Sequence, residues 1–299
     1  MDLGNLMEFR KLGKGAFLAP GSPCTLVIPF DGEMWIVDPG AYPERGEELA
    51  RSLDKGKRKI VLITHSHSDH LAAIPKLVEL TNAVVACPYL ESCSARSVEI
   101  RKALDYGAKR SDKLTKIAPA LPIRIDESFN PPCKLGPFES IPLPGHSFGH
   151  VGYLTEDGLL YAGDAFFGDK LLRTVVVPYF IDYEASLETI RNLLDNVRDY
   201  RKIVPSHGPV CEGKRAEDIL RANLVTLEML PKKAERILER GPISAEGLTA
   251  HILVEGGANI SVWSLLISSV TIKSLLSYMF DEGEVEPIAT ESGILWKIR

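Results

Sequence analysis

Three histidines and an aspartate stand within six positions directly after a continuously apolar run. The run at 59–64 predicts a strand buried on both faces, because four consecutive apolar residues lie at its centre. Residues two apart face the same side of an extended backbone, so His65, His67 and Asp69 can converge; His70 can reach a second point if a helix begins at Asp69. Only seven histidines occur in the chain, and α/β folds commonly place ligands at the carboxyl ends of strands. We therefore predict a metal site here rather than a chance grouping of loop residues.

Three later residues can complete a set of metal ligands. His146, Asp164 and His207 each follow a short apolar run, and each stands beside a glycine, where backbone can approach a ligand closely. Taken singly, each is equally well explained as a loop or turn residue. Two four-coordinate ions, however, need more nitrogen and carboxylate ligands than one loop supplies. Taken together with the first cluster, the three residues predict a two-metal site.

The first two thirds of the chain alternate apolar runs with polar segments. Further strands are predicted at 24–28, 35–37, 83–86, 121–125, 140–143, 152–155, 159–162 and 203–204. Helices are predicted at 71–80, with Asp69 as a candidate N-cap, and at 183–197. Residues 91–118 are polar and predicted to be helical, in a position where an insertion could cover the sheet. Mixed strands with helices outside them predict an α/β sandwich of sheets covered by helices.

The sequence pattern changes at about residue 215, from short apolar runs to long helical segments. Helices are predicted at 215–240, 244–254 and 262–280, followed by a hairpin of two strands at 284–290 and 293–298. Three helices and a terminal hairpin resemble a winged-helix module. We therefore predict a catalytic domain at 1–214 and a small helical, winged-helix-like domain at 215–299.

Length and charge narrow the class of protein further. A chain of 299 residues can form one large domain and one small domain, because single cores rarely grow beyond about 250–300 residues. Its net charge of −5 provides no overall attraction for nucleic acid or for an anionic membrane. The first residues lack a basic segment followed by an apolar one, so we expect a cytoplasmic protein without a membrane anchor. Five cysteines without a C-x-x-C pair argue against a disulfide framework and against a cysteine-based zinc site.

Four motifs, in this order, resemble those of the metallo-β-lactamase superfamily: T-H-x-H-x-D-H, P-G-H-x-x-G-H, A-G-D and S-H-G-P. The resemblance covers residues 15–212 and implies an αββα sandwich. It implies two groups of metal ligands and a residue that bridges them. The first group is His65, His67 and His146, the second is Asp69, His70 and His207, and the bridging residue is Asp164.

The same resemblance implies supporting residues and a mechanism. Asp38 would support a ligand histidine from behind, although it also suits a plain turn residue. His150 either supports the metal ligands without binding metal itself or is a plain loop residue. The resemblance implies two zinc ions, with iron or manganese as alternatives, and a metal-bridged hydroxide that attacks an ester, thioester or related acyl bond of a small molecule. Asp69 would orient this nucleophile and pass a proton to the leaving group.

The C-terminal part resembles the extension found on the branch that includes β-lactamase-like protein 2 and glyoxalase-II-like hydrolases. That branch implies a second candidate activity, endoribonuclease or phosphodiesterase action on single-stranded RNA. Residues 228–299 contain seven Lys or Arg against ten Asp or Glu, a balance that disfavours nucleic-acid binding and favours packing on the catalytic domain or a homodimer contact. Two further alternatives remain: a persulfide dioxygenase with one iron, and a winged-helix regulator without enzymatic activity.

Overall fold

A mixed sheet forms the first half of the protein, in a computed structural model that describes residues 7–114 and 121–299. Within these residues seven strands follow one another across the sheet in chain order. The first four pair antiparallel, and the last three join in parallel. The strands are β1 (Arg10–Gly13), β2 (Ala16–Ala19), β3 (Thr25–Phe30), β4 (Glu33–Val37), β5 (Arg58–Leu62), β6 (Val84–Pro88) and β7 (Glu127–Phe129).

A second sheet packs against the first. Its five described strands lie in reverse chain order, and the last of them joins its neighbour in parallel whereas the others pair antiparallel. They are β8 (Cys133–Leu135), β9 (Phe138–Pro142), β10 (Val151–Thr155), β11 (Leu159–Gly163) and β12 (Lys202–Pro205). Leu62 of the first sheet belongs to one buried cluster with Tyr153 and Tyr161 of the second. The hydroxyl groups of both tyrosines donate to backbone carbonyls next to the first sheet, at 2.7 and 2.6 Å, so the interface is also hydrogen-bonded.

Helices cover both outer faces. They are α1 (Pro43–Ser52), α2 (Ser68–Leu71), α3 (Ile74–Thr81), α4 (Tyr89–Arg96), α5 (Val98–Tyr106), α6 (Asp169–Thr174), α7 (Tyr183–Asp195), α8 (Gly213–Leu238), α9 (Ala245–Glu255) and α10 (Val262–Asp281). Leu49 of α1 and Leu77 of α3 are buried against Val61 of the first sheet. The helices from α7 onward cover the second sheet. The predicted α/β sandwich covered by helices is confirmed.

The C-terminal helices α8, α9 and α10 are followed by the predicted hairpin, β13 (Val285–Thr290) and β14 (Gly293–Ile298). Leu220, Leu248 and Leu275 of these helices belong to the same hydrophobic cluster as Leu160 and Phe166. α10 is long and apolar enough to cross a membrane by length and composition, and 39% of its most apolar window is buried inside the protein. A core helix meets the same criteria, and the buried side of α10 completes the core over the second sheet.

The strand predicted at 121–125 is wrong, and the strand begins at Glu127. Ile123 and Ile125 are buried and their neighbours are exposed, so the alternation of buried and exposed side chains is present. The backbone of this segment, however, forms no strand hydrogen bonds with the described residues. Pro122 has no N–H to donate, and the N–H of Ile123 bonds to the end of α4, at the carbonyl of Ala95 (3.0 Å). Residues 115–118 of the predicted insertion lie outside the described residues; its earlier part contains α4 and α5.

The helix predicted at 71–80 is divided into α2 and α3. The N–H of Ala73 donates to the carbonyl of Gly40 at 3.0 Å instead of continuing the helical ladder, and a proline stands in the first turn of α3. The prediction of Asp69 as N-cap is also wrong. His67 occupies the N-cap position of α2, and no side chain caps that helix. The carboxylate of Asp69 is therefore not engaged as a helix cap.

Candidate metal centre

Four strand ends bring the seven predicted ligands to one edge of the sandwich. β5 leads into His65 and His67, and α2 carries Asp69 and His70. Three further loops follow β9, β11 and β12 and carry, in that order, His146, Asp164 and His207. The backbone is extended at His67 and turns helical at once, so the first two histidines face one point and the next two ligands face another.

The first group of ligands is made of histidines alone. Ring nitrogens of His65, His67 and His146 lie within 4.8 Å of one another. Nδ1 of His67 lies 2.9 Å from Nε2 of His146. Nε2 of His65 is buried and has no hydrogen-bond partner among the described residues. A buried nitrogen without a partner is costly, so its position suits a ligand to a metal ion.

The second group contains one carboxylate and two imidazoles. Atoms of Asp69, His70 and His207 again lie within 4.8 Å of one another. Nε2 of His207 lies 3.1 Å from Oδ2 of Asp69, and Nε2 of His70 lies 3.9 Å from the same oxygen. Within the described chain, Nε2 of His70 is a second buried nitrogen that lacks a hydrogen-bond partner.

Asp164 lies between the two groups. Its Oδ1 lies 3.5 Å from Nε2 of His70, and its Oδ2 lies 3.4 Å from Nε2 of His146 and 3.5 Å from Nε2 of His207. The hydroxyl of Ser206 donates to Oδ1. One carboxylate therefore faces both groups, which is the position that a bridging ligand requires.

The outward-facing nitrogens of the ligand histidines are held by hydrogen bonds. Oδ2 of Asp38 lies 2.8 Å from Nδ1 of His70, and the same carboxylate accepts the N–H and the hydroxyl of Thr64 at 2.9 and 2.7 Å. Nδ1 of His146 donates to the carbonyl of Tyr179 at 2.9 Å. A hydrogen bond at one ring nitrogen fixes the tautomer and leaves the other nitrogen for a metal.

His150 supports Asp164 rather than joining the ligands. Its Nε2 accepts the backbone N–H of Asp164 at 3.0 Å. Burial lowers the pKa of His150 to about 4, so the ring is neutral and can accept. Gly163 allows this approach, because its φ is +54° and an added Cβ would lie 2.6 Å from Nε2 of His150.

The electrostatics of the centre divide its histidines into two kinds. Burial, reinforced by neighbouring histidines, lowers the pKa of His65 and His146 well below the usual value. Burial has the same tendency at His70, but Asp38 and Asp164 outweigh it and raise that pKa. Burial disfavours ionised Asp69, yet His70 and a hydrogen bond from His207 lower its pKa to about 2. Zinc and similar divalent ions bind neutral imidazoles and ionised carboxylates, so the first group suits an ion as it stands, and an ion in the second group would displace the proton that the carboxylates favour on His70.

Sequence reasoning missed Glu91, a buried residue of α4 that joins two ligand loops. Its Oε2 accepts the N–H and the hydroxyl of Ser66 at 2.9 and 2.5 Å. Its Oε1 accepts the hydroxyl of Ser147 at 2.7 Å and the N–H of Gly149 at 2.9 Å. Ser66 stands between two ligand histidines and Ser147 follows a third, so one carboxylate sets the spacing of the first ligand group. Nothing around position 91 signals this contact, because both loops are distant in sequence.

Helix α8 holds the loop that follows Asp164. The side-chain amide of Asn223 accepts the backbone N–H of Phe167 at 2.9 Å and donates to its carbonyl at 2.8 Å. Phe167 stands three residues after Asp164, so this pair of bonds fixes the loop in place. Asn223 is buried, and its amide also donates to the carbonyl of Ile219 within α8.

Helix α10 holds the segment behind His146 in a similar way. The hydroxyl of Thr271 accepts the N–H of Phe180 at 2.8 Å and donates to the carbonyl of Pro178 at 2.9 Å. Tyr179, between these residues, provides the carbonyl that orients the ring of His146. The C-terminal helices thus support the loop of the bridging Asp164 and the first ligand group from behind.

Known proteins resemble this chain in sequence. The family described as Metallo-beta-lactamase superfamily matches residues 20–207. The chain is 29% identical to Hydroxyacylglutathione hydrolase GloC of Haemophilus influenzae, over 67% of this chain and 92% of that protein. It is 27% identical to Probable metallo-hydrolase YqgX of Bacillus subtilis, over 63% of this chain and 86% of that one.

Two solved structures share the fold over nearly the whole chain. A Beta-lactamase domain protein from Burkholderia ambifaria superposes with a TM-score of 0.71 at 18% identity, covering 99% of this chain and 95% of its own. The metallo-beta-lactamase family protein TTHA1429 from Thermus thermophilus gives a TM-score of 0.67 at 17% identity, with coverage of 95% and 94%. At these identities the likeness concerns the fold alone, and it extends through the C-terminal helical region.

Proposed function

Because the chain belongs to the metallo-β-lactamase superfamily, we propose that it hydrolyses a thioester or a related ester of a small molecule. The observation that carries the proposal is the position of Asp164, whose two oxygens face His70 on one side and His146 on the other. With these neighbours the chain offers three ligands to each of two ions and a carboxylate that both can share. The similarity to a hydroxyacylglutathione hydrolase supports an acyl substrate.

Two zinc ions fit the donor set, with iron or manganese as alternatives. His65, His67 and His146 would hold one ion, and Asp69, His70 and His207 the other. Divalent ions bound here would supply a nucleophile at neutral pH by lowering the pKa of water, and they would polarise the carbonyl oxygen of the substrate.

The protein's own residues orient the reactants and move a proton. Asp69 is ionised and lines the adjacent cavity, so it can orient the attacking water, take a proton from it and pass that proton to the leaving sulfur. The water oxygen bonds to the carbonyl carbon, the carbon–sulfur bond breaks, and the sulfur leaves as a thiol. Asp38 and Glu91 keep the ligand loops in position during this exchange.

Metal analysis and an activity panel test the proposal together. The purified chain should contain about two zinc ions and should hydrolyse a thioester faster than a lactone, a phosphodiester or single-stranded RNA. Asp164→Ala should lose metal and activity, whereas Asp195→Asn at the end of α7 should change neither. One iron per chain would favour the persulfide dioxygenase, and faster cleavage of RNA would favour the endoribonuclease. Neither metal nor turnover would leave the regulator as the better account.

A small-molecule substrate agrees with the size of the cavity beside the ligands, which has a volume of about 180 Å³. The acidic balance of the C-terminal part disfavours RNA as a partner. The winged-helix character of that part, the cytoplasmic location and a homodimer stay predictions.

A further inference from the structure

The cavity of about 180 Å³ beside the ligand loops has one wall from the predicted metal ligands and another from α5 and α10. His67, Asp69 and His146 line it, and so do Arg101 and Trp263. An apolar cavity of about 150 Å³ binds benzene, so this one accommodates a group of about six to eight non-hydrogen atoms. A substituent bound here lies directly against the reacting centre.

Arg101 brings a buried positive charge to this cavity. Its side chain is 5% exposed, and Nε and Nη2 donate to the carbonyls of Ser94, Ala95 and Leu121 at 2.8–3.3 Å. Nη1 has no hydrogen-bond partner in the described ranges. Burial lowers the pKa of Arg101 to about 10, and Asp105 opposes that shift. A buried cation whose donors are not all satisfied is costly, and an anionic ligand would offset that cost.

Arg110 adds a second guanidinium. Its side chain is 8% exposed, and its Cζ lies 5.3 Å from the ring centroid of Trp263, a cation–π contact. Trp263 stands in the first turn of α10, so the C-terminal helical region holds this arginine at the cavity wall. We call Arg101, Arg110 and Trp263 the arginine subsite.

Two carboxylates, Asp69 and Asp105, also line the cavity. Asp69 belongs to the second ligand group, and Asp105 accepts the hydroxyl of Tyr179 at 3.2 Å. Lys102, a third cation in the wall, pairs with Asp112 outside the cavity. The wall therefore carries three cations against two carboxylates, and the guanidinium of Arg101 beside it has a donor without a partner in the described ranges.

A second cavity, of about 140 Å³, lies on another side of the ligand loops. It shares two ligand histidines and Arg101, Asp105 and Tyr179 with the first cavity, but neither Arg110 nor Trp263 lines it. Its rim includes the apolar side chains of Leu90 and Phe148, which are 64% and 56% exposed. The exposed apolar rim suits the thiol part of the substrate, whereas Lys102 and Arg110, which line the first cavity alone, suit an anionic group there.

We infer that the cavity with the arginine subsite binds the acyl part of the substrate, and that this acyl part is short and ends in an anion, a carboxylate or a phosphate. The inference rests on the proposed thioester hydrolysis. The carbonyl carbon would face the ligand loops, and the terminal anion would face Arg101 and Arg110. Six to eight non-hydrogen atoms, in the size range set by the cavity, correspond to a small dicarboxylic acyl group.

Isosteric substrates test the charge alone. The zinc-loaded chain should be assayed with succinyl and succinamyl thioesters of the same thiol, which differ in one charge, and with a 3-phosphonopropanoyl thioester to separate carboxylate from phosphate. We expect kcat/KM to favour a charged acyl group by at least about tenfold, or about 1.4 kcal/mol. Arg110→Gln and Trp263→Leu should reduce this ratio, and Arg198→Gln, an exposed arginine on another face, should keep it. Arg101→Gln can be added to this comparison only if the variant still unfolds cooperatively in a melting curve.

Binding of the product gives a readout without catalysis. Succinate should raise the melting temperature of the wild type more than succinamate does, and Arg110→Gln should remove the difference. Equal turnover of charged and neutral thioesters, with equal melting shifts, would overturn the subsite and leave thioester hydrolysis standing. Failure to hydrolyse any thioester, with the succinate shift retained, would reject the proposed function and keep the anion site.

Discussion

Replacement of Glu91 by glutamine should loosen the first group of metal ligands without removing any of them. The carboxylate accepts four hydrogen bonds, two at each oxygen, from Ser66 on one loop and from Ser147 and Gly149 on another. A glutamine amide has one oxygen and one NH2, so at one end the NH2 would face a serine hydroxyl, which can turn to accept, and a backbone N–H, which cannot. The spacing between His67 and His146 should relax.

The size of the effect follows from these contacts. A hydrogen bond to a charged acceptor contributes about 1.5–3 kcal/mol, so the loss of the bond from the backbone N–H lowers the unfolding free energy by about that amount. At about 2–4 °C per kcal/mol, the melting temperature should fall by about 3–12 °C. Loss of a contact that supports metal ligands typically weakens metal binding about 10–100-fold.

Calorimetry and zinc titration with a competing chelator measure both quantities. Glu188→Gln, on the exposed face of α7 with no ion pair in the described structure, is the matched control and should change stability by less than about 0.5 kcal/mol. Because both oxygens of Glu91 are bonded to the ligand loops, its effect should pass through metal binding, and kcat should recover at saturating zinc while zinc affinity stays low. If Glu91→Gln retains the melting temperature and zinc affinity of the control, the hydrogen bonds from Glu91 to the two ligand loops contribute nothing to stability or to metal binding.

Three further predictions concern other supports of the centre. Asp38→Asn keeps the positive φ of 48°, which asparagine tolerates, but loses the carboxylate behind His70; zinc affinity measured by chelator competition should fall about 10–100-fold, and an unchanged affinity would contradict the role. Thr271→Val leaves the N–H of Phe180 without its acceptor and should cost about 1–3 kcal/mol in denaturant unfolding, whereas Thr226→Val on the exposed side of α8 should cost much less. Removal of metal with a chelator should lower the melting temperature, and zinc at about 1,000 times its Kd should restore about 4 kcal/mol per site; a curve insensitive to zinc would argue against a metal centre.

Strand and helix patterns were readable where local chemistry and burial agree. The run at 59–64 is apolar because both sheet faces are covered, and the observed strand is Arg58–Leu62. At 121–125 the same alternation misleads, because Ile123 and Ile125 reach the core from a segment whose backbone pairs with no strand in the part of the chain that the structure describes. Helix α1 was missed because its sequence, PERGEELARS, is mostly polar and buries little beyond Leu49 and Ala50 among its apolar residues.

The same distinction separates the ligands from their supports. Histidines and aspartates beside glycines at strand ends are uncommon enough to stand out, and the seven that were predicted converge in the structure. Glu91 and Arg101 carry no such signal, because each acts through contacts that only the packed fold creates. α5 and α10 form a common cavity wall only after the chain has folded.

The bonds from Asn223 to Phe167 and from Thr271 to Phe180 change where inactivating mutations should be sought. A screen for loss of hydrolysis that reads only the histidine motifs would treat these two positions as neutral. Each nevertheless braces a segment that carries or orients a metal ligand, so a change far along the chain would register as a catalytic defect in an otherwise folded enzyme. Grafting the N-terminal motifs onto a shorter scaffold would fail for the same reason, since the braces would be left behind.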